Sequence, residues 1–215
     1  MMRLVSKLPR VLVPPALRVS ALLLLGALPA AAQQDPLIKL DQRSRLAIDQ
    51  MMDSLRQLGL SDAPLRSKAL LGVRVGADNG KIVEVVRKKF VNLKTAYSVL
   101  GAVGDNELDA ASAVLEAGAK PAQLEAFKTR QKGRTDLDAF TVWADLISRG
   151  VPGEEASSAI TKLWRDGADE ATFRRLWNDV QADISQGLKP GDALQARVRE
   201  APVRPATKPQ TPPEG

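Results

Sequence analysis

The side chains that could do chemistry in this chain are carboxylates, serines and lysines, because the 215-residue sequence contains no histidine and no cysteine. Histidine and cysteine supply most general bases, thiol nucleophiles and transition-metal ligands in enzymes. What remains is acid–base chemistry by paired carboxylates, or a serine nucleophile activated by a lysine. Catalysis would therefore need one of these two arrangements.

The acidic triplet Asp105, Glu107 and Asp109 is the best carboxylate candidate. It lacks the D-x-D-x-D-G spacing of a calcium-binding loop. It also follows a glycine break, where the first turn of a helix favours acidic residues. The pattern therefore favours helix capping over a metal or acid–base site. The same interpretation applies to two further acidic pairs, Asp136 with Asp138 and Glu154 with Glu155.

Serine–lysine pairs occur at Ser67-Lys68 and at Ser157-Ser158 with Lys162, but neither has the spacing of a known nucleophile motif. Adjacent residues on a helix also point their side chains apart. The sequence therefore predicts a non-enzymatic protein that needs no metal and no cofactor. The alternative is an envelope hydrolase that works with two carboxylates. Two carboxylates facing each other in a deep pocket would distinguish that alternative.

The segment from 128 to 134, KTRQKGR, carries the best candidate for binding. Its four cations alternate with polar residues, and no acidic residue intervenes. Such cations contact the phosphates of lipid headgroups or other polyanions, and the contact weakens with added salt. No aromatic residue is interleaved, so specific nucleic-acid recognition is not expected. The segment predicts a weak contact with an anionic partner, and the alternative is a solvated loop. The four residues are Lys128, Arg130, Lys132 and Arg134.

The elements that position these groups are helices, since apolar residues recur at steps of three and four and no segment alternates as a strand does. A unit of glycine, apolar residue, four polar or turn residues and an apolar anchor recurs along the chain. Glycine accepts the left-handed conformation that ends many helices. The pattern predicts an all-α fold of about nine short to medium helices, paired as hairpins in an irregular solenoid or a compact bundle. The units begin at Gly59, Gly76, Gly118, Gly150, Gly167 and Gly187.

Two further predictions concern burial. The longest helix should bury the stripe Ile82, Val86, Phe90, Leu93, Tyr97 and Leu100. Of the three tryptophans, Trp164 and Trp177 lie on or beside apolar stripes and should pack in the core. Trp143 is less tied to its stripe and should be the most exposed of the three.

Through its repeated G-A/V-x-x-x-x-apolar corners alone, the chain resembles uncharacterised exported helical proteins of bacteria. The resemblance covers residues 48–198 loosely and carries no catalytic motif. It implies no activity.

The two ends of the chain differ in composition from its centre. Residues 1–32 resemble a secretory signal peptide, with four basic residues, a short apolar run and small residues at Ala30 and Ala32. An uncleaved membrane anchor is the alternative. Residues 33–200 should form a single helical domain, and residues 201–215 a proline-rich, disordered tail. Removal of the leader lowers the net charge from +6 to +2, since the leader holds 4 basic and 0 acidic residues.

The sequence therefore predicts an exported, periplasmic or extracellular helical binding protein. An uncleaved leader would instead make it a membrane-tethered accessory subunit. Its partner is not identified by any motif; an envelope protein or an anionic surface is consistent with the pattern, and a small-molecule substrate is not expected.

Overall fold

Nine α-helices contain most of the residues that this computed structural model describes, which are 36–130 and 137–200. A short 3-10 helix at Pro36–Lys39 precedes them. No strand occurs in these two ranges, so the prediction of an all-α fold is confirmed. The helices are α1 (Gln42–Gln57), α2 (Ala63–Arg74), α3 (Asn79–Leu100), α4 (Asp105–Ala117), α5 (Pro121–Arg130), α6 (Leu137–Ser148), α7 (Gly153–Arg165), α8 (Glu170–Ser185) and α9 (Pro190–Glu200).

The repeated glycine unit is a helix-ending motif that is used six times. All six of its glycines have φ between +68° and +120°, a region that side chains with a Cβ atom rarely adopt. In each copy, the residue after the glycine donates its amide to the carbonyl five residues back, as Leu60 does to Leu55 at 3.0 Å. This is the outer hydrogen bond of a Schellman motif. The apolar anchor that closes each unit is buried: Leu65, Ile82, Leu124, Ala156, Phe173 and Ala193.

Acidic caps begin several helices. The carboxylates of Asp41, Asp78 and Asp169 accept hydrogen bonds from backbone amides in the first turns of α1, α3 and α8. Hydrogen bonds from Ser44, and a further one from the side chain of Asn79, lower the pKa of Asp41. Asp41 and Asn79 stand at the amino ends of α1 and α3, and these two helices pack against each other. They therefore run in the same direction, and α2 connects them in sequence.

The helices pack locally along the chain. Each pair that packs substantially is one or two helices apart, from α1 against α2 and α3 to α9 against α7 and α8. This order is typical of stacked helical pairs, in which each pair contacts only its neighbours. One continuous apolar core runs through the described helices.

The predicted stripe of α3 is wrong at two positions. Lys89 and Ala96 occupy buried positions, whereas Phe90 and Tyr97 are only half-buried beside the core. Neighbouring positions on a helix differ by about 100°, so either residue of each pair satisfies the spacing. A lysine can take the buried position when its stem packs and its ammonium finds partners.

The prediction for Trp143 is also wrong, because its side chain is fully buried (0% exposed). Trp143 belongs to an aromatic cluster around Phe127 of α5. The ring of Phe127 lies 5.2 Å from Phe140, 5.8 Å from Trp143 and 5.9 Å from Trp164. The core position predicted for Trp164 is confirmed. Trp177 is half-buried, with the Arg149 guanidinium 5.5 Å from its ring.

Candidate functional site

The basic segment predicted to bind anions lies only partly within the described residues. Lys128 is exposed on the last turns of α5, and its Nζ atom donates to the carbonyl oxygen of Val99 at 2.5 Å. Val99 stands in the last turn of α3, where carbonyls lack a partner within the helix. Arg130 is the last residue of α5. Lys132 and Arg134 lie outside the described residues, so the anionic contact stays a prediction.

The acidic triplet does not form a carboxylate pair for catalysis. Glu107 Oε2 accepts the amide of Gly104 at 2.9 Å, which confirms its predicted role in capping α4. Asp109 lies one turn further on and does not cap. Its Oδ1 atom instead lies 2.5 Å from the Nζ atom of Lys89. In the described part of the chain, no three acidic side chains converge as metal ligands would.

Lys89 is the centre of a buried polar cluster that the sequence did not reveal. Its side chain is 4% exposed, and its ammonium lies 2.7 Å from Ser112 Oγ and 3.8 Å from Glu116 Oε2. Lys68 of α2 contacts the other carboxylate oxygen of Glu116 at 2.9 Å. The cluster therefore connects α2, α3 and α4. The signal that could have revealed it is a lysine at stripe spacing, three residues after Val86.

The contact between Ser112 and Lys89 has the residue types of a serine–lysine nucleophile, but its surroundings argue for a structural role. Ser112 is 0% exposed, so a substrate could not reach its hydroxyl. That hydroxyl also donates to the carbonyl of Asp109 at 2.7 Å. The ammonium of Lys89 is also in contact with the carboxylates of Asp109 and Glu116.

The lysines of the serine–lysine pairs considered from the sequence contact carboxylates in the structure. The ammonium of Lys68 is used by Glu116, and that of Lys162 lies 3.0 Å from Asp166. Each lysine therefore has a carboxylate partner.

Exposed apolar side chains are concentrated in the first three helices. Nine large apolar side chains are exposed in the described ranges, and seven of them fall between residues 36 and 100. Val75, which is 69% exposed, and Leu71, which is 53% exposed, lie one turn apart at the carboxyl end of α2. We call this pair the α2 apolar face. The other five are Ile38, Leu46, Leu58, Val85 and Val91, against Leu137 and Leu188 in the rest of the described ranges.

Two surface grooves of similar size lie between helices. The α1/α3 groove has a volume of about 350 Å³ and is lined by Ala47, Gln50, Met51 and Ser54 of α1 and by Arg87, Phe90 and Val91 of α3. The α7/α9 groove, of about 370 Å³, is lined by residues of α7 from Glu154 to Lys162 and by residues of α9 from Leu194 to Arg199. Both volumes are at the lower end of the range for ligand sites.

None of the helices described is long and apolar enough to cross a membrane. The chain matches no known protein-family model, no curated protein and no solved structure.

Proposed function

We propose that this chain is an exported, non-enzymatic helical protein that binds a partner through the surface of its first three helices. The observation that carries the proposal is the concentration of exposed apolar side chains there. Leu71 and Val75, one helical turn apart, place two of these side chains next to each other, and contiguous exposed apolar surface is typical of interaction sites. The α2 apolar face contains Val75, the most exposed of these side chains.

The distribution of charge along the chain also favours the first three helices as the binding surface. Residues 36–100 hold 12 basic and 6 acidic residues, a net charge of +6, whereas residues 137–200 hold 8 basic and 11 acidic residues, a net charge of −3. A surface with net positive charge attracts anionic partners and accelerates their encounter. An envelope protein with an acidic surface, or an anionic envelope surface itself, fits this pattern.

The non-enzymatic part of the proposal rests on the contacts of the candidate catalytic groups. Glu107 caps a helix, Asp109 pairs with Lys89, and Ser112 is buried. Each of these groups has a structural use. Export rests on the leader at residues 1–32, and amino-terminal sequencing of the exported protein should begin at or near Gln33. A product that retains Arg18 would contradict export.

Capture from an envelope extract tests the proposed surface. The double variant Leu71→Ser/Val75→Ser should keep its helical circular dichroism, because both side chains are exposed, and should lose the partner that the unchanged protein retains. The matched control is Leu137→Ser/Leu188→Ser, which alters the two exposed apolar residues of the carboxy-terminal helices. Equal capture by both double variants would reject the α2 apolar face as the contact.

The basic segment is tested separately. The triple variant Arg130→Ser/Lys132→Ser/Arg134→Ser should fold normally and lose salt-sensitive binding to anionic vesicles or heparin. If the unchanged protein shows no such binding at low salt, the segment is only a connector.

A further inference from the structure

The α1/α3 groove combines an apolar floor with cations on one side. Met51 and Phe90 form part of the floor, and the exposed Val91 continues it onto the α3 side. Arg87 lines the same side one turn before Val91. The ammonium of Lys94, one turn after Phe90, lies 5.3 Å from the centre of the Phe90 ring. Apolar surface is thus bracketed by two positive charges.

These two cations have no ionic partner in the described part of the chain. No described carboxylate lies within 4.0 Å of the guanidinium of Arg87 or the ammonium of Lys94, whereas Lys68, Lys81, Lys89 and Lys162 each have one. An exposed cation next to apolar surface can bind an anion without first breaking an internal ion pair. The positive charge beside the groove therefore favours an anionic ligand.

The length of the groove limits what can occupy it. Its lining spans about two helical turns of α1, from Ala47 to Ser54, and about one turn of α3, from Arg87 to Val91, which is roughly 10 Å and roughly 6 Å. Past this lining, α3 carries the exposed Lys81–Glu84 ion pair toward its amino end and the exposed Ser98 toward its carboxyl end. A partner helix docks through apolar residues over three or more turns. The groove is too short for such a helix and has the volume of a small-ligand site.

We propose that the α1/α3 groove binds a single-chain anionic amphiphile. Its apolar chain lies along Met51, Phe90 and Val91. Its carboxylate or phosphate head contacts Arg87, whose planar guanidinium suits either group, and Lys94 supplies the second positive charge. The site deepens the proposed binding function by naming a ligand class, and it uses none of the residues of the α2 apolar face.

The α7/α9 groove is the internal comparison. It has a similar volume, but its charges are mixed, with Glu154 and Glu155 facing Lys162 and Arg199. Lys162 is already paired with Asp166, and Glu155 contacts Gln195 at 3.5 Å. This groove therefore has no preference for one sign of ligand and should not discriminate between amphiphiles of opposite charge.

Titration calorimetry of the purified full chain tests the proposal with four ligands that share a twelve-carbon chain. Dodecanoate and dodecyl phosphate, kept below their micelle concentrations, should bind at one saturable site. They should bind about tenfold or more tightly than dodecyl maltoside and dodecyltrimethylammonium, and added salt should weaken them. The ratio of the dissociation constants of the two anions identifies the head group that the site prefers.

Variants locate the site. Arg87→Ala/Lys94→Ala should weaken dodecanoate binding about tenfold, as expected for the loss of two exposed charge contacts. Val91→Ser should weaken binding of the anions without changing their advantage over the neutral ligand. Arg175→Ala/Lys189→Ala removes two exposed cations from the carboxy-terminal helices and should leave binding unchanged.

Three results would overturn the proposal: no saturable binding of either anion, equal binding of dodecyl maltoside, or less than a twofold effect of Arg87→Ala/Lys94→Ala. None of these would affect the capture experiment with the α2 apolar face, so the two proposals fail separately.

Discussion

The two ends of this molecule are built from the same helix-ending motif but differ in what they bury and what they expose. The amino-terminal region, residues 36–100, has an aliphatic core, a net charge of +6 and seven exposed large apolar side chains. The carboxy-terminal region, residues 137–200, packs four aromatic residues around or next to Phe127: Phe140, Trp143, Trp164 and Phe173. This region has a net charge of −3 and only two exposed large apolar side chains.

If the proposed function is right, the difference separates the region that stabilises the fold from the region that binds a partner. Large aromatic rings bury much area per residue, so the carboxy-terminal region can satisfy its core and leave a polar surface. The amino-terminal region places apolar and positively charged groups on its surface, where they add little to folding. Because helices pack only with near neighbours along the chain, changes in one region should leave the other intact.

The aromatic cluster should give the largest stability effect. Phe127→Ala removes a ring that is 0% exposed and contacts three other rings, so it should destabilise the protein by about 3–5 kcal/mol. Phe90→Ala, in the half-buried ring of the α1/α3 groove, should cost clearly less. Urea unfolding of both variants measures the difference. Equal losses of stability would contradict the distinction between the fully buried aromatic cluster and the half-buried ring of the α1/α3 groove.

The buried cluster of the amino-terminal region should give the next largest effect. Asp109→Ala leaves the Lys89 ammonium without its closest carboxylate, while Glu116 still offers partial compensation at 3.8 Å. We expect a loss of about 1–2 kcal/mol, since the Asp109 side chain is half-exposed. Lys89→Met removes the charge but keeps the packing stem, and should cost less than Asp109→Ala. The opposite order in urea unfolding would mean that the ion pair itself stabilises the fold.

Acid should destabilise the carboxy-terminal region through Asp183. Arg197 donates two hydrogen bonds of 2.7 Å to Asp183, and these lower the pKa of that carboxyl from its ordinary value of 3.8. A lowered native pKa stabilises the fold above the unfolded pKa, and this contribution is lost as pH falls through the native value. The stability advantage over Asp183→Asn should therefore be constant from about pH 5 to 7 and shrink below about pH 4.

Asp145, in the same region, has a pKa shifted in the opposite direction to that of Asp183. Burial raises the pKa of Asp145, with the charge of Arg149 opposing the rise. Its charged form is therefore disfavoured in the fold, and Asp145→Asn should be neutral or slightly stabilising near pH 7. That effect should disappear as the pH falls and Asp145 becomes protonated. If both asparagine variants showed the same pH trend in thermal melts, the assignment of the two carboxyls would be wrong.

Much of the fold could be predicted from the sequence because glycine leaves a local signature. In all six predicted units, the glycine with positive φ is followed by the outer hydrogen bond of the motif and by a buried anchor. Burial was harder to predict where two adjacent residues fit one stripe. At positions 89 and 90, apolarity alone predicts that Phe90 is buried. The buried residue is Lys89, because its ammonium finds carboxylates on α4, which is distant in sequence.

The candidate site was less predictable for the same reason. The α1/α3 groove depends on α1 and α3 being parallel neighbours, which no local pattern states. The α2 apolar face was also invisible, because Leu71 and Val75 have ordinary helical spacing and only the packing leaves them exposed.

The central claim is that partner contact belongs to the amino-terminal region. A photoreactive amino acid placed at Val75 or at Leu188, both exposed positions, tests it directly in cells that produce the protein. The account predicts that irradiation links the Val75 variant to a discrete envelope component, in a way that high salt reduces, and leaves the Leu188 variant unlinked. Linkage from Leu188 alone, or equally from both positions, would contradict it.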